Sequence, residues 1–184
     1  MKQLFLCIAS LTLLIACGDD KTETLASKGG EEAAPAVQLP YTASYSSDFE
    51  LGNPEYSATV LQGGWKDWEN NTMDNMRNWA ADTIVAFHSD NVMVSGVDSL
   101  MARWKRGRAT YTSVIDTIDA VMPVYSKDRK ENWVLVWATE INTNAAGKVD
   151  TVYLMETYRI NKDGKADMLL QYERNDRNKL ILLL

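Results

Sequence analysis

The chain has 184 residues, with 19 basic and 25 acidic side chains and a net charge of −6, which is enough sequence for one domain and a linker. An acidic chain binds nucleic acid and anionic membrane surfaces poorly, because both carry negative charge themselves. With one histidine and two cysteines the sequence lacks the ligands of a multi-histidine metal site or a disulfide framework, and we expect no cofactor and no metal.

The N-terminus has the composition of a signal peptide. Lys2 supplies a positive charge, and residues 4–15 form an apolar run that is too short to span a bilayer. The run is followed by Cys17, and residues 14–17 read LIAC, which resembles the lipobox of bacterial lipoproteins. The resemblance implies cleavage before Cys17, lipidation of Cys17, and anchorage in the bacterial cell envelope at the outer membrane. The alternatives are an uncleaved anchor and a soluble secreted protein.

Residues 17–40 are predicted to be a flexible linker, because they are acidic, contain glycine and proline, and have few large apolar side chains to bury. The predicted organisation is a signal peptide over 1–16, the linker over 17–40, and one domain over 41–184. Residues 41–51 carry aromatic side chains four apart. They form either a strap that docks on the domain or more linker.

The first helical region begins at Asn53, which suits an N-cap, followed by Pro54 at the first helical position. Apolar side chains then recur every three or four residues, which predicts two helices with a joint near Asn71. Residues 83–88 and 92–94 favour short strands. A third helix follows and is expected to end with Gly107 as its C′ residue, after a basic last turn.

The second half of the domain has the composition of long strands. Residues 111–125, 133–143, 149–160 and 166–174 are rich in β-formers and are separated by short turns, which predicts an antiparallel meander. The chain ends in five apolar residues, 180–184. We expect this end to dock on the sheet or to complete a dimer contact, because an exposed apolar segment would favour aggregation.

Three pieces of sequence together resemble the nuclear transport factor 2-like (SnoaL-like) superfamily. They are the acid Asp82 before a strand in residues 79–85, Gly96 at the opening of the third helix, and the hairpin over 158–165. The resemblance implies an α+β fold, in which a cone-shaped, strongly curved antiparallel sheet wraps around three N-terminal helices. It also implies a conical pocket, and a homodimer formed through the convex face of the sheet.

The resemblance does not single out a reaction. Ketosteroid isomerases of this fold use a strand acid as the base, and matching the sequences puts Phe87 where that acid would stand. We therefore favour an envelope-anchored lipoprotein whose domain binds a small molecule or a protein without catalysis. The alternative is a cofactor-independent lyase, isomerase or hydrolase that uses His88 with Asp82 or a strand carboxylate.

The polar and aromatic side chains of the strands and helices have two interpretations. The strand acids Asp116, Asp119, Glu140 and Glu156 either face the pocket with raised pKa values or lie on the solvated face. The tryptophans either line the pocket or fill the core. For a small apolar ligand, the predicted contact residues are Trp68, Trp79, Asp119, Glu140, Tyr158 and Tyr172.

Overall fold

The computed structural model describes residues 40–175, and its strands are β1 (Phe49–Leu51), β2 (Ala80–Phe87), β3 (Met93–Ser95), β4 (Tyr111–Ser126), β5 (Glu131–Asn144), β6 (Val149–Ile160) and β7 (Ala166–Asn175). They form one sheet in the order β1-β4-β5-β6-β7-β2-β3. The predicted signal peptide, Cys17, almost all of the predicted linker and the apolar end at 180–184 lie outside the described residues.

The helical elements are α1 (Pro54–Thr59), a π-helical turn (Val60–Trp65), α2 (Lys66–Asn70), a 3₁₀ turn (Met73–Asn78) and α3 (Val97–Arg108). As predicted, Asn53 caps α1, since its side-chain oxygen accepts a hydrogen bond from the backbone N–H of Glu55 at 3.0 Å. The joint is also where it was predicted, because Asn71 ends α2 in the left-handed conformation. Gly63 lets the π-helical turn approach Trp79, whose ring lies 2.3 Å from where a Cβ of residue 63 would be.

The four long strands β4, β5, β6 and β7 are consecutive antiparallel neighbours, as predicted. The sheet as a whole is mixed rather than purely antiparallel, because β2 pairs with β7 in parallel. Parallel pairs need a long connection, and here α3 and four strands lie between the two partners in the chain. Register shifts near Thr112 and Asp119 mark irregularities in β4, and such bulges bend a strand and increase its twist.

The third helix runs further than predicted. It continues through Gly107 to Arg108, so Gly107 is not its C′ residue. Arg108 is buried, and its guanidinium donates to the backbone carbonyls of Trp68, Glu69 and Tyr111 at 2.8–3.0 Å. Two of these carbonyls belong to the last turn of α2, where free carbonyl groups and the helix dipole both favour a cation.

Residues 45–51 form a strap on the outer face of the sheet. β1 pairs with the end of β4, and the Tyr45 ring packs edge-on against Trp133 with 6.1 Å between centroids. The Ser46 hydroxyl donates to Asp128 at 2.6 Å. Of the two interpretations of residues 41–51, the structure therefore shows the docked one for this part of the segment.

The core lies between the concave face of the sheet and the helices. Its fully buried side chains come from both the helical elements and the sheet. The largest are Trp79, Tyr158, Met73, Met76, Ile84 and Leu100. Within residues 40–175, no helix is long and apolar enough to cross a membrane.

Candidate functional site

A cavity of about 580 Å³ opens between the helices and the inner faces of β5, β6 and β7. This volume is in the range of small-molecule sites, about 300–1,000 Å³. Its lining comes from α2 and α3 on one side, from β5, β6 and β7 on the other, and from the end of β2. The residues that define its chemistry are Trp65, Trp68, His88, Trp104, Tyr111, Glu140, Asn142, Glu156, Tyr158 and Gln171.

One wall of the cavity is aromatic. Trp68 and Trp104 pack edge to face with 5.9 Å between ring centroids, and Trp65 continues the wall. Trp79 packs behind Trp104 with 5.7 Å between ring centroids, is fully buried, and is not among the residues that line the cavity. Of the two helical tryptophans predicted to contact a ligand, the structure thus places Trp68 at the cavity and Trp79 in the core.

Glu140 is buried on the inner face of β5, at the cavity. Its two oxygens accept hydrogen bonds from the indole N–H of Trp68 at 2.7 Å and from the side-chain amide of Asn142 at 2.6 Å. Asp116 lies directly opposite on β4, and neither of its buried oxygens has a donor within residues 40–175 other than this neighbouring carboxyl group. Burial and the charge of Glu140 raise the pKa of Asp116 to about 8.

With a pKa of about 8, the Asp116 carboxyl group carries a proton at neutral pH, beside the carboxyl group of Glu140. Burial also raises the pKa of Glu140, but its two N–H donors oppose that rise, so the proton belongs on Asp116. Two buried carboxylates side by side would repel each other, and one proton between them removes most of that cost. The arrangement leaves Glu140 as the charged partner, held in place by Trp68 and Asn142.

A second polar group lies further along the same inner face, at Glu156. This carboxyl group is buried and accepts from the Tyr158 hydroxyl and from the Gln171 side-chain amide, the latter at 2.8 Å. Burial raises its pKa to about 7, while the two hydrogen bonds act in the opposite direction. The Gln171 amide oxygen then faces Nδ1 of His88 at 3.2 Å.

This chain of hydrogen bonds fixes the protonation of His88. The amide nitrogen of Gln171 is directed at Glu156, so its oxygen accepts from Nδ1–H of His88. Nε2 therefore carries the lone pair, and this buried atom has no partner in the described part of the chain. Burial lowers the pKa of His88 below its usual 6.5, so the ring is neutral at pH 7.

The predicted pairing of His88 with Asp82 is wrong. Asp82 is exposed and bound to Arg77 at 2.7 Å on the outside of the domain, because it faces away from the core in β2. Phe87 is also partly exposed and lies outside the cavity, whereas the next residue, His88, lines it. The carboxyl group that His88 reaches is Glu156, through Gln171.

Two further predicted contact residues lie outside the cavity. Asp119 occupies the irregularity of β4, is exposed, and accepts a hydrogen bond from Thr139 at 2.9 Å. Tyr172 alternates with the inward-facing Gln171 and is 61% exposed on the outer face. Trp68, Glu140 and Tyr158 do line the cavity, but their contact with a ligand stays a prediction.

The mouth of the cavity is charged and predominantly acidic. Asp90, Asp150 and Glu173 line it together with Arg103 and Arg106, and Arg103 forms an ion pair with Asp90 at 2.6 Å. Counting Glu140 and Glu156 inside, five carboxyl groups face two guanidinium groups. No group of three or more His, Cys, Asp or Glu side chains within residues 40–175 is placed to hold a metal ion.

Comparison with known proteins identifies the fold. No family model and no curated protein matches the chain, but many solved structures do. A SnoaL-like polyketide cyclase from Shewanella denitrificans has a TM-score of 0.54 at 11% identity, over 66% of this chain and 92% of its own. A ketosteroid isomerase from Mycobacterium sp. has a TM-score of 0.52 at 18% identity, over 65% and 98%.

A third similar structure comes from Mycobacterium tuberculosis and was solved in complex with estradiol-17beta-hemisuccinate. Its TM-score is 0.52 at 15% identity, over 64% of this chain and 92% of its own. At these identities the similarity defines the fold alone. The domain has the cone fold of SnoaL-like and nuclear transport factor 2-like proteins, as the sequence predicted. That fold includes cyclases, isomerases and epoxide hydrolases, so it does not define a reaction.

Proposed function

We propose that the domain binds a small organic molecule in the cone and that the protein does so as an envelope-anchored lipoprotein. The observation that carries the binding proposal is the cavity of about 580 Å³, whose lining side chains include three buried polar atoms without a partner within residues 40–175: Nε2 of His88, Oδ1 of Asn142 and the indole N–H of Trp65. Buried polar atoms are almost always hydrogen-bonded, so atoms left free in a roomy cavity indicate that a ligand or water completes them.

The aromatic wall supports the same proposal. The rings of Trp65, Trp68 and Trp104 offer a large apolar surface, and the polar groups lie mainly on the strands, where Glu140 adjoins the ring of Trp68. A ligand would be desolvated against the rings and oriented by the strand side chains. The Mycobacterium tuberculosis neighbour, solved with a steroid ester, supports the capacity of this fold for a ligand of that kind.

The binding proposal predicts that Trp68→Phe weakens binding of the neutral fluorescent probe N-phenyl-1-naphthylamine about tenfold, because the variant loses ring area and the anchor on Glu140. The measurement is probe fluorescence in a titration of purified residues 17–184. The matched control is Trp133→Phe, since Trp133 packs under Tyr45 on the outer face. The proposal would be contradicted if both variants lost the same affinity for the probe. It would also be contradicted if the parent and both variants all failed to bind the probe saturably.

The anchorage proposal rests on the signal sequence and Cys17. Several acyl chains hold a protein on a membrane stably, because each buried methylene group contributes about 0.8 kcal/mol. In a bacterial host, Cys17→Ala should abolish metabolic labelling with a radioactive fatty acid and leave unprocessed or released protein. Cys7→Ala is the control and should label normally. Unchanged labelling of Cys17→Ala would contradict the anchor.

Acid–base catalysis is the second candidate function. It is favoured by one observation, the neutral His88 at the cavity, whose Nδ1–H is held by Gln171 so that the lone pair is on Nε2, a buried atom without a partner in residues 40–175. A base in this position could take a proton from a bound substrate in a cofactor-independent lyase, isomerase or hydrolase. Mass spectrometry of a molecule recovered from the protein separates the two functions. A domain that only binds the molecule leaves it chemically unchanged when the two are incubated together, whereas an enzyme that uses His88 converts it to a product.

A further inference from the structure

Three buried polar atoms of cavity-lining side chains lack a partner within residues 40–175: the indole N–H of Trp65, which is a donor, and two hydrogen-bond acceptors on His88 and Asn142. His88 is 8% exposed and Asn142 is 2% exposed, and both line the cavity. Nδ1 of His88 is bound to Gln171, and the Asn142 amide nitrogen donates to Glu140. What remains is a lone pair on Nε2 of His88 and the amide oxygen of Asn142, neither with a partner within residues 40–175. A ligand that satisfies them has to bring donors.

The end of the cavity at Asn142 is also negatively charged. Glu140 adjoins Asn142, and both of its oxygens are held by N–H donors, which stabilise the carboxylate. The cavity lining contains no lysine, and its two arginines lie on α3, where Arg103 is already paired with Asp90. The excess of carboxyl groups over guanidinium groups in the lining gives the cavity a potential that concentrates cations.

The aromatic wall adds a third feature that suits a cation. The indole of Trp68 is tied to Glu140 at 2.7 Å, so the ring, the carboxylate and the Asn142 oxygen belong to one side of the cavity. An ammonium group close to a tryptophan face is attracted by the ring quadrupole, more strongly when water is excluded. A charged N–H donor to a carboxylate also forms a stronger hydrogen bond than a neutral hydroxyl does.

We propose that the ligand is an organic cation, with a primary or secondary ammonium group held by Glu140 and the Asn142 oxygen beside Trp68, and with an apolar or aromatic body. A second donor on that body, such as a hydroxyl group, reaches Nε2 of His88 on the far side. The strand register supports this separation between the two ends of the ligand. Glu156 and Gln171, which orient His88, are paired with each other, and Glu156 lies opposite Val136. Val136 is four residues along β5 from Glu140. The proposal rests on the proposed binding function and specifies its ligand class.

The test compares tyramine with tyrosol, its neutral counterpart with a hydroxyl group in place of the ammonium group. We expect tyramine to displace N-phenyl-1-naphthylamine at a concentration about tenfold lower than tyrosol does, with a preference that weakens as salt rises. Glu140→Gln should remove this preference. Glu50→Gln is the control, because Glu50 is exposed on β1 and does not line the cavity, and it should change the preference less than about twofold.

The possible results separate the two proposals. If tyrosol competes as well as tyramine, or if the naphthylamine probe binds while tyramine does not compete, the cation inference is wrong and the binding function stands. If the probe and both competitors fail to bind, both proposals are wrong. The comparison of tyramine with tyrosol uses the unmodified domain, so it decides the inference even if Glu140→Gln fails to fold.

Discussion

Replacing Arg108 with alanine is expected to lower the free energy of unfolding by about 3 kcal/mol, because the change leaves the part-buried carbonyls of Glu69 and Tyr111 without this donor and removes one of the two donors to the carbonyl of Trp68. The guanidinium of Arg108 donates to the carbonyls of Trp68, Glu69 and Tyr111, and so ties the end of α2 to the end of α3 and the start of β4. Urea unfolding followed by circular dichroism measures the change.

The control for this prediction is Arg106→Ala on the same helix. Arg106 is exposed, so its loss should change the free energy of unfolding by no more than about 0.5 kcal/mol. The loss of free energy of unfolding in Arg108→Lys should be intermediate, because an ammonium group lacks the planar guanidinium that reaches all three carbonyls. A loss below about 1 kcal/mol in Arg108→Ala would mean that the carbonyls find water instead. Since Trp68 is one of the tethered residues, the same variant should also bind the naphthylamine probe less well.

The strands could be predicted from the sequence because their signals are local. β-rich runs separated by short polar turns set the ends of β4, β5, β6 and β7 to within two residues of the predicted limits. The end of α3 could not be predicted in this way. Gly107 and the basic last turn favour a helix end, but two of the three acceptors that hold Arg108 belong to α2, about 40 residues away in the chain.

The direction of the strand side chains was the harder problem. In β5 the inward Val134 and Val136 alternate with the outward Trp133 and Leu135, so both faces are apolar and hydropathy does not distinguish them. The outer face is apolar at Trp133 because the strap covers it there. In β4 Asp116 and Asp119 are three residues apart, so regular alternation already places Asp116 inward and Asp119 outward. The register shift at Asp119 instead reverses the parity of the residues that follow, so that Ile118 and Val121 both pack on the core.

Asn142 and Gln171 were missed as site residues. Neither titrates, and a search for charged or aromatic side chains passes over them, yet they orient Glu140, Glu156 and His88. One signal could have found Asn142. It lies two residues after Glu140, and the two therefore share a face of β5 whichever face that is. Gln171 offers no such signal, because its partners lie on β6 and at the end of β2.

The free energy of unfolding is expected to fall with rising pH, and Asp116 accounts for a large part of the fall. The pKa of Asp116 is about 8 in the folded protein, against a usual value of 3.8, because burial and the neighbouring Glu140 disfavour its charge. Between these values the folded state binds a proton that the unfolded state has released. The stabilisation is therefore complete below about pH 4 and is lost as the pH rises towards 8, by about 1.4 kcal/mol per pH unit.

Asp116→Asn should remove this slope, because the amide is neutral at every pH and can still donate to Glu140 across the strand pair. We expect the amount by which the variant exceeds the parent in free energy of unfolding to be about 4 kcal/mol larger at pH 8 than at pH 5. Urea unfolding of both proteins at pH 5, 6, 7 and 8 measures this change, and other carboxyl groups cancel in the difference between the two proteins. Asp119→Asn, exposed on the same strand, should follow the parent at every pH. Parallel pH profiles for the parent and Asp116→Asn would show that Asp116 is ionised in the folded protein. The assignment of the proton to Asp116, which leaves Glu140 charged at neutral pH, would then be wrong.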